Sequence, residues 1–239
     1  MLFSLLNGGD PRSVAISIIL TLPTILIALS AHEAAHGYIA YKLGDRTAFN
    51  LGRITLNPFK HLDPIGALCM LVCGYGWAKP VPINARNFKD PRKGMALTAL
   101  AGPVTNLILG TIGVIFYYLT IYVANTKAVA GVIMQNETAF IAVQMIVTFC
   151  YYFAYLNFLY TVFNLIPVPP FDGSRIFSVV LPAKAYFGIM KYERYYLIAI
   201  LAISIVCSRL FHFSPFSWLA DKLFELISFP FAFIFSLIF

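Results

Sequence analysis

Three ionisable side chains lie within five positions of an apolar run that is long enough to cross a membrane. The run extends over residues 13–41, contains no Lys or Arg, and includes His32, Glu33 and His36. Each ionisable group at membrane depth costs about 2.5–3.5 kcal/mol on insertion scales. On a helix, His32 and His36 lie one turn apart on the same face. The run therefore predicts a membrane helix that carries a specifically stabilised polar site.

The pattern His-Glu-x-x-His is the helical half of a zinc hydrolase site. Two imidazole nitrogens one turn apart can bind the same ion, and Glu33 between them is placed to act as general base. Imidazoles that become zinc ligands are also neutral, which removes the electrostatic problem of burial. The alternative explanation is a helix end whose polar side chains face a water-filled groove.

Composition places the whole chain in a membrane. Of its 239 residues, 60% are hydrophobic and only 11% are charged, whereas soluble domains have about 25% charged residues. The sequence predicts a single integral-membrane domain over 1–239, an all-α polytopic membrane protein. We expect its spans at about 13–41, 94–124, 138–166 and 195–213, with a possible fifth or interfacial helix at 216–239.

The chain between the first two spans is not typical of a membrane helix. Residues 49–56 alternate partly between apolar and polar side chains and predict a short extended segment. Residues 65–77 are apolar but too few to span, so they predict a re-entrant or interfacial piece. Proline and glycine predict a second extended segment over 78–84. Residues 125–136 predict a short polar loop.

The basic residues predict an orientation. Residues 42–93 contain nine Lys or Arg, residues 125–136 contain one, and residues 167–194 contain four. The first and last of these segments should face the cytoplasm. His36 and His32 lie roughly 9–15 Å along the helix from its polar end, so the site should lie near that surface. The net charge of +7 then reflects topology and contact with the lipid bilayer, not a nucleic-acid partner.

A catalytic zinc ion usually has three protein ligands and one open position. Of the ten acidic residues, all except Glu33 and Asp172 lie in loops, at span ends or in the tail. Asp172 follows a proline-rich break after the third span, which makes it the favoured third ligand, although a plain helix cap would also explain it. His61 is a competing ligand, but its charged neighbours place it in an aqueous loop. The orientation puts His212 on the far side.

Asn106 is a polar amide within the second span, next to the small residues Ala101 and Gly102. Small residues allow two membrane helices to approach closely. The amide needs a partner at this depth. It either joins two helices by a hydrogen bond or faces the site as a donor.

Four motifs together resemble the site-2 protease family of intramembrane zinc metalloproteases. They extend over residues 31–173 and are His32-Glu33-Ala34-Ala35-His36, Gly52-Arg53-Ile54-Thr55-Leu56-Asn57-Pro58, Ala101-Gly102-Pro103-x-x-Asn106 and Asn164-x-x-Pro167-x-Pro169-x-x-Asp172-Gly173.

The resemblance implies a three-helix catalytic core with one zinc ion (Zn²⁺) held by His32, His36 and Asp172, and with Glu33 as general base. It also implies that Asn106 holds the substrate or the developing oxyanion. The expected substrates are transmembrane segments of proteins, cut near the cytoplasmic face of a bacterial plasma membrane. The chain has room for neither a PDZ nor a CBS domain, so it resembles the compact bacterial type.

Two other functions are alternatives. A membrane zinc transporter or sensor would need several ligand sets along a path, whereas the sequence offers one cluster. A non-catalytic binder of membrane proteins would have no use for a general base at Glu33.

Overall fold

The structure is a computed structural model that describes residues 10–73, 77–182 and 213–238, with short pieces between 188 and 210. The described chain is helical and contains no strand. One isolated antiparallel bridge joins Leu62 and Ala78. The predicted all-α membrane fold class is therefore confirmed. About half of the predicted span at 195–213, including His212, lies outside the described residues.

Eight α-helices of the described chain have defined bounds. In chain order they are α1 (Pro11–Lys42), α2 (Thr47–Asn50), α3 (Pro64–Cys73), α4 (Pro91–Asn125), α5 (Lys127–Gln135), α6 (Glu137–Asn164), α7 (Asp172–Phe177) and α8 (Pro215–Ile238). By length and composition, α1, α4 and α6 can each cross a membrane. These three helices correspond to the first three predicted spans.

Two of the long helices begin at the same kind of cap. Asp10 accepts hydrogen bonds from the backbone N–H groups of Arg12 and Ser13 at the start of α1. Asp90 likewise accepts hydrogen bonds from the backbone N–H groups of Arg92 and Lys93 at the start of α4. In both helices the next residue is proline, which has no N–H group that needs a partner. Both starts are therefore set by local sequence.

Helix α4 lies between α1 and α6, and α8 packs against α4 and α6. The buried core at this packing is formed by Val114, Ala154, Phe158 and Ala220. Gly110 on α4 faces the fully buried Phe158 ring, and a Cβ at position 110 would lie 2.4 Å from Phe158 Cε1. The absence of a side chain at position 110 therefore allows α4 and α6 to approach closely.

The loop predicted over 125–136 is wrong, because residues 127–135 form α5. Only the two ends of this stretch are extended, at Thr126 and Asn136. The residues between them are mostly good helix formers, and the polar residues that indicated a loop lie mainly at the ends.

The strand predicted over 49–56 is also wrong, because α2 occupies residues 47–50 and a turn follows at Gly52, where φ is +61°. The Asp45 carboxylate accepts a hydrogen bond from the Thr47 N–H, which favours a helical turn there. No neighbouring strand is present in the described chain to pair with this segment. Local hydrogen bonding therefore outweighs the alternation of side chains.

Residues 78–84, predicted to be extended, belong to no helix or turn, and Asp45 holds their far end, where the Asn84 backbone is extended. Its carboxylate accepts hydrogen bonds of 2.7 Å from Asn84 N and from Asn87 Nδ2. Burial raises the pKa of Asp45, but the hydrogen bonds from Thr47, Asn84 and Asn87 outweigh burial and hold that pKa below its usual range. The carboxylate thus stays ionised and ties this segment to the end of α1.

The two shorter apolar helices, α3 and α8, differ in whether their length allows them to cross a bilayer. Helix α3 has 10 residues and is about 15 Å long, too short to cross a bilayer. Helix α8 has 24 residues and includes Asp221, Lys222 and Glu225. The re-entrant placement of α3 and the spanning or interfacial placement of α8 stay predictions.

We expect Gly110→Ala to destabilise the helix bundle by roughly 1–3 kcal/mol, because the added methyl group overlaps the buried Phe158 ring. Thermal unfolding in detergent micelles measures this effect. Gly131→Ala is the matched control, since a Cβ at that helical glycine meets no atom within 4 Å. Equal melting temperatures for the two variants would contradict the close approach of α4 and α6.

Candidate metal centre

His32 and His36 lie on the buried face of α1, and each is only 6% exposed. Their Nε2 atoms are 3.0 Å apart. The four-residue spacing on the helix therefore directs both rings to one point, as the sequence predicted.

Asp172 reaches this point from the segment that follows α6. Helix α6 ends at Asn164, and the chain folds back so tightly that a Cβ at Gly173 would lie 2.3 Å from Ile166 O. Asp172 is the first residue of α7, and its Oδ2 atom lies 3.1 Å from His32 Nε2 and 3.2 Å from His36 Nε2. The alternative of a plain helix cap is wrong, because Phe171 occupies the cap position.

The outer nitrogens of both rings donate hydrogen bonds to oxygens on α4. His32 Nδ1 lies 2.6 Å from Asn106 Oδ1, and His36 Nδ1 lies 2.7 Å from the Thr98 backbone carbonyl. A carbonyl oxygen can only accept, so each Nδ1 carries the hydrogen. A neutral imidazole then has no hydrogen on Nε2, and both Nε2 lone pairs face the centre.

With both rings neutral, three electron-rich atoms converge with no hydrogen between them. Asp172 Oδ2 is buried and has no hydrogen-bond partner among the described residues. Atoms of like partial charge repel at about 3 Å in a buried site unless a cation lies among them. Ligands bound about 2.0–2.1 Å from a tetrahedral zinc ion lie about 3.3 Å from one another. The separations of 3.0–3.2 Å and the two-histidine, one-carboxylate donor set both fit such an ion.

Glu33 lies next to His32 on α1 but is not part of this triangle. Its Oε2 atom accepts a hydrogen bond of 2.8 Å from the backbone N–H of Val81 in the extended segment. The side chain is partly buried. Glu33 therefore lies next to a ligand residue in sequence, and its carboxylate is held by the Val81 N–H and not by the three converging groups.

Asn106 is fully buried and contacts two protein groups. Its oxygen accepts from His32, and its Nδ2 donates to Asn157 Oδ1 on α6 over 3.3 Å. Such outer hydrogen bonds orient metal-binding histidines in known sites. Asn157 was not predicted as part of the site, although a second amide within an apolar span indicated it. Thr98 was not predicted either, because it contributes only a backbone carbonyl.

His61 is not part of the triangle. It is 2% exposed, and its Nε2 contacts the Thr55 carbonyl at 2.8 Å. The prediction that His61 lies in an aqueous loop is therefore wrong, because the loop folds over the ring. Within the described residues, His32, His36 and Asp172 form the one group of this kind whose atoms can reach a shared ion.

Gly102 on α4 gives the two imidazole rings their space. A Cβ at this position would lie 2.4 Å from His32 Cε1 and 2.6 Å from both His32 Nε2 and His36 Cε1. Such distances are far inside van der Waals contact. The small residues predicted to bring two helices together therefore also form one wall of the centre.

We expect Gly102→Ala to lose most of its bound zinc while its helical content stays unchanged, because the methyl group displaces both rings. Zinc per purified chain, measured by mass spectrometry of the metal, and circular dichroism check this result. Gly131→Ala is again the matched control and should keep its zinc. A normal zinc content in Gly102→Ala would show that the rings bind no ion in this arrangement.

Comparison with known proteins agrees with this geometry. The family model of peptidase family M50 matches residues 20–207. The chain is 39% identical over 182 residues to "Putative zinc metalloprotease YwhC" of Bacillus subtilis, which covers 76% of this chain and 78% of the relative. It is 26% identical over 171 residues to "Putative zinc metalloprotease Rip2" of Mycolicibacterium smegmatis, covering 68% and 58%. No solved structure gives a significant match. The chain therefore belongs to peptidase family M50, the site-2 protease family of zinc metalloproteases that its motifs resemble.

Proposed function

We propose that this chain is a zinc-dependent intramembrane endopeptidase that cuts transmembrane segments of other proteins near the cytoplasmic face of the membrane. The observation that carries the proposal is the convergence of His32 Nε2, His36 Nε2 and Asp172 Oδ2, which lie 3.0–3.2 Å from one another beside Glu33. The helix that bears the histidines is long and apolar enough to cross a membrane. Membership of family M50 supports a peptidase over other uses of such a centre.

His32, His36 and Asp172 would hold one zinc ion per chain. When bound, zinc polarises the scissile carbonyl and lowers the pKa of the attacking water. The α4 groups at Asn106 and Thr98 fix the two rings, so the ligand atoms need no rearrangement.

Glu33 is the proposed general base. Its carboxylate takes a proton from the attacking water and passes it to the leaving amine. The hydrogen bond from Val81 engages Oε2, and the other carboxylate oxygen is the proposed proton acceptor.

We also propose that the chain has the orientation predicted from its basic residues. The nine basic residues of 42–93 support a location of α2, α3 and the extended segment on the cytoplasmic side of a bacterial plasma membrane. Water then has a short path to Glu33 from that side. Transmembrane protein segments would have to unwind locally before cleavage, since a helix hides its carbonyls in its own hydrogen bonds.

Asn106 links the histidine pair on α1 to α6 by two hydrogen bonds. Substrate binding by Asn106 stays a prediction. Its contacts with His32 and Asn157 favour an orienting role for the histidine ring.

We expect Glu33→Gln to keep its zinc and lose cleavage by about 10²-fold or more, because the amide cannot accept the proton. Comparison of membrane-derived peptides from cells with the parent chain and with Glu33→Gln identifies the substrates and measures the loss. Glu137→Gln, at an exposed position on α6, is the matched control and should cleave normally. Normal cleavage by Glu33→Gln would overturn the assignment of the base.

We expect Asp172→Asn to lose most of its bound zinc, since the amide is a poor zinc ligand. Asp221→Asn, at an exposed position on α8, should keep it. Zinc per purified chain is the measurement. If both variants bind zinc equally, Asp172 is not a ligand and the proposed centre fails.

Zinc flux in proteoliposomes separates the protease from a transporter. One metal-binding group occurs among the described residues, and transport would require further ligand sets along a path. We expect peptide release from a co-reconstituted substrate and no zinc flux. Flux without peptide release would instead establish the transporter.

A further inference from the structure

The extended segment beside α1 offers Glu33 one backbone donor. In Pro80-Val81-Pro82 the prolines have no N–H group, so Val81 holds the only backbone donor of the three residues. That N–H donates to Glu33 Oε2 over 2.8 Å. Within the described chain, Glu33 has no other hydrogen bond to its carboxylate. The direction of this carboxylate therefore depends on where Val81 lies.

Val81 packs into α1 one turn after Glu33. It is 6% exposed, and a Cβ at Gly37 would lie 3.3 Å from Val81 Cγ1. Gly37 follows Glu33 by four residues, so the two positions share a helix face. The absence of a side chain at position 37 lets the segment come close enough for its N–H to reach the carboxylate.

Arg53 holds the two carbonyl groups that precede Val81. Its Nη2 atom donates to Lys79 O over 2.8 Å and to Pro80 O over 3.2 Å. Arg53 is only 9% exposed, and within the described chain no carboxylate lies within 4 Å of its guanidinium. A buried charge needs polar partners. Here those partners are the backbone carbonyls of the segment that contacts Glu33.

Other contacts hold the ends of the segment. Lys79 N donates to His61 O over 2.7 Å, and Asn84 N donates to Asp45 Oδ2 over 2.7 Å. In the middle, Arg53 and Glu33 supply the side-chain hydrogen bonds to residues 80–82. Loss of Arg53 would therefore free the part that carries the Val81 N–H.

We propose that Arg53 is a positioning residue for Glu33 and acts through the backbone of residues 79–81. The guanidinium fixes two successive carbonyls, these aim the Val81 N–H, and the N–H fixes the carboxylate. Arg53 itself touches no reacting atom. The inference rests on the proposed role of Glu33 as general base.

We expect Arg53→Gln to lower kcat by about 10²-fold with KM and zinc content unchanged, because misplacement of a catalytic group by about 1 Å has effects of this size. Zinc should stay because Asn106 and Thr98, not Arg53, orient the histidines. Arg53→Lys should recover most of the kcat, since an ammonium group also donates to carbonyls. Arg46→Gln, at an exposed arginine, is the matched control and should resemble the parent.

A double-mutant cycle tests the route through Val81. Val81→Pro removes the N–H donor, so it should lower kcat as Arg53→Gln does. If Arg53 acts through this N–H, Arg53→Gln combined with Val81→Pro should be no worse than Val81→Pro alone. Additive effects, or loss of zinc in Arg53→Gln, would overturn the proposal in favour of a general structural role.

Amide hydrogen exchange tests the same link without any cleavage assay. Val81 holds the only exchangeable backbone amide of residues 80–82, so its protection can be followed by NMR after selective labelling of valine with ¹⁵N. We expect slow exchange in the parent and in Arg46→Gln, and fast exchange in Arg53→Gln and Glu33→Ala. Slow exchange in Arg53→Gln would overturn the inference whether or not the chain is a protease. Absence of cleavage by the zinc-loaded parent, with the expected exchange rates, would instead overturn the proposed function and leave the link between Arg53 and Val81 intact.

Discussion

The candidate metal centre depends on two hydrogen bonds at the outer edge of its histidines. Asn106 and the Thr98 carbonyl, both on α4, each hold a hydrogen on Nδ1. The neutral rings must then turn unprotonated nitrogens toward each other and toward Asp172. Such a group of acceptors is stable only around a cation. The proposed chemistry therefore depends on the two hydrogen bonds by which α4 orients the histidine rings of α1.

Much of this arrangement could be predicted because it depends on local sequence or on few candidates. Apolar run length alone predicted the three long helices. The spacing of His32 and His36 predicted that they meet, since helix geometry fixes it. Asp172 was predicted as the third ligand because few acidic residues lie away from loops and span ends. In each case the residue pattern allowed few alternative structures.

The rest depended on contacts between distant segments. Residues 49–56 alternate like a strand but have no strand partner in the described chain, and Asp45 favours a helical turn instead. His61 has charged neighbours in sequence, yet the folded loop buries it. The hydrogen bond to the Thr98 backbone carbonyl could not be predicted from the residue type, because every residue has such a carbonyl. These features follow from tertiary structure, which residue patterns describe poorly.

The ligand set is split between the beginning of the chain and a position about 140 residues later, with α4 and α6 between them. During synthesis the first two imidazoles enter the membrane long before the carboxylate exists. The site is therefore assembled only when α6 has been inserted and the chain has turned back through Gly173. Until that moment a nascent chain lacks the complete centre, so loading with metal is tied to completion of the three-helix core.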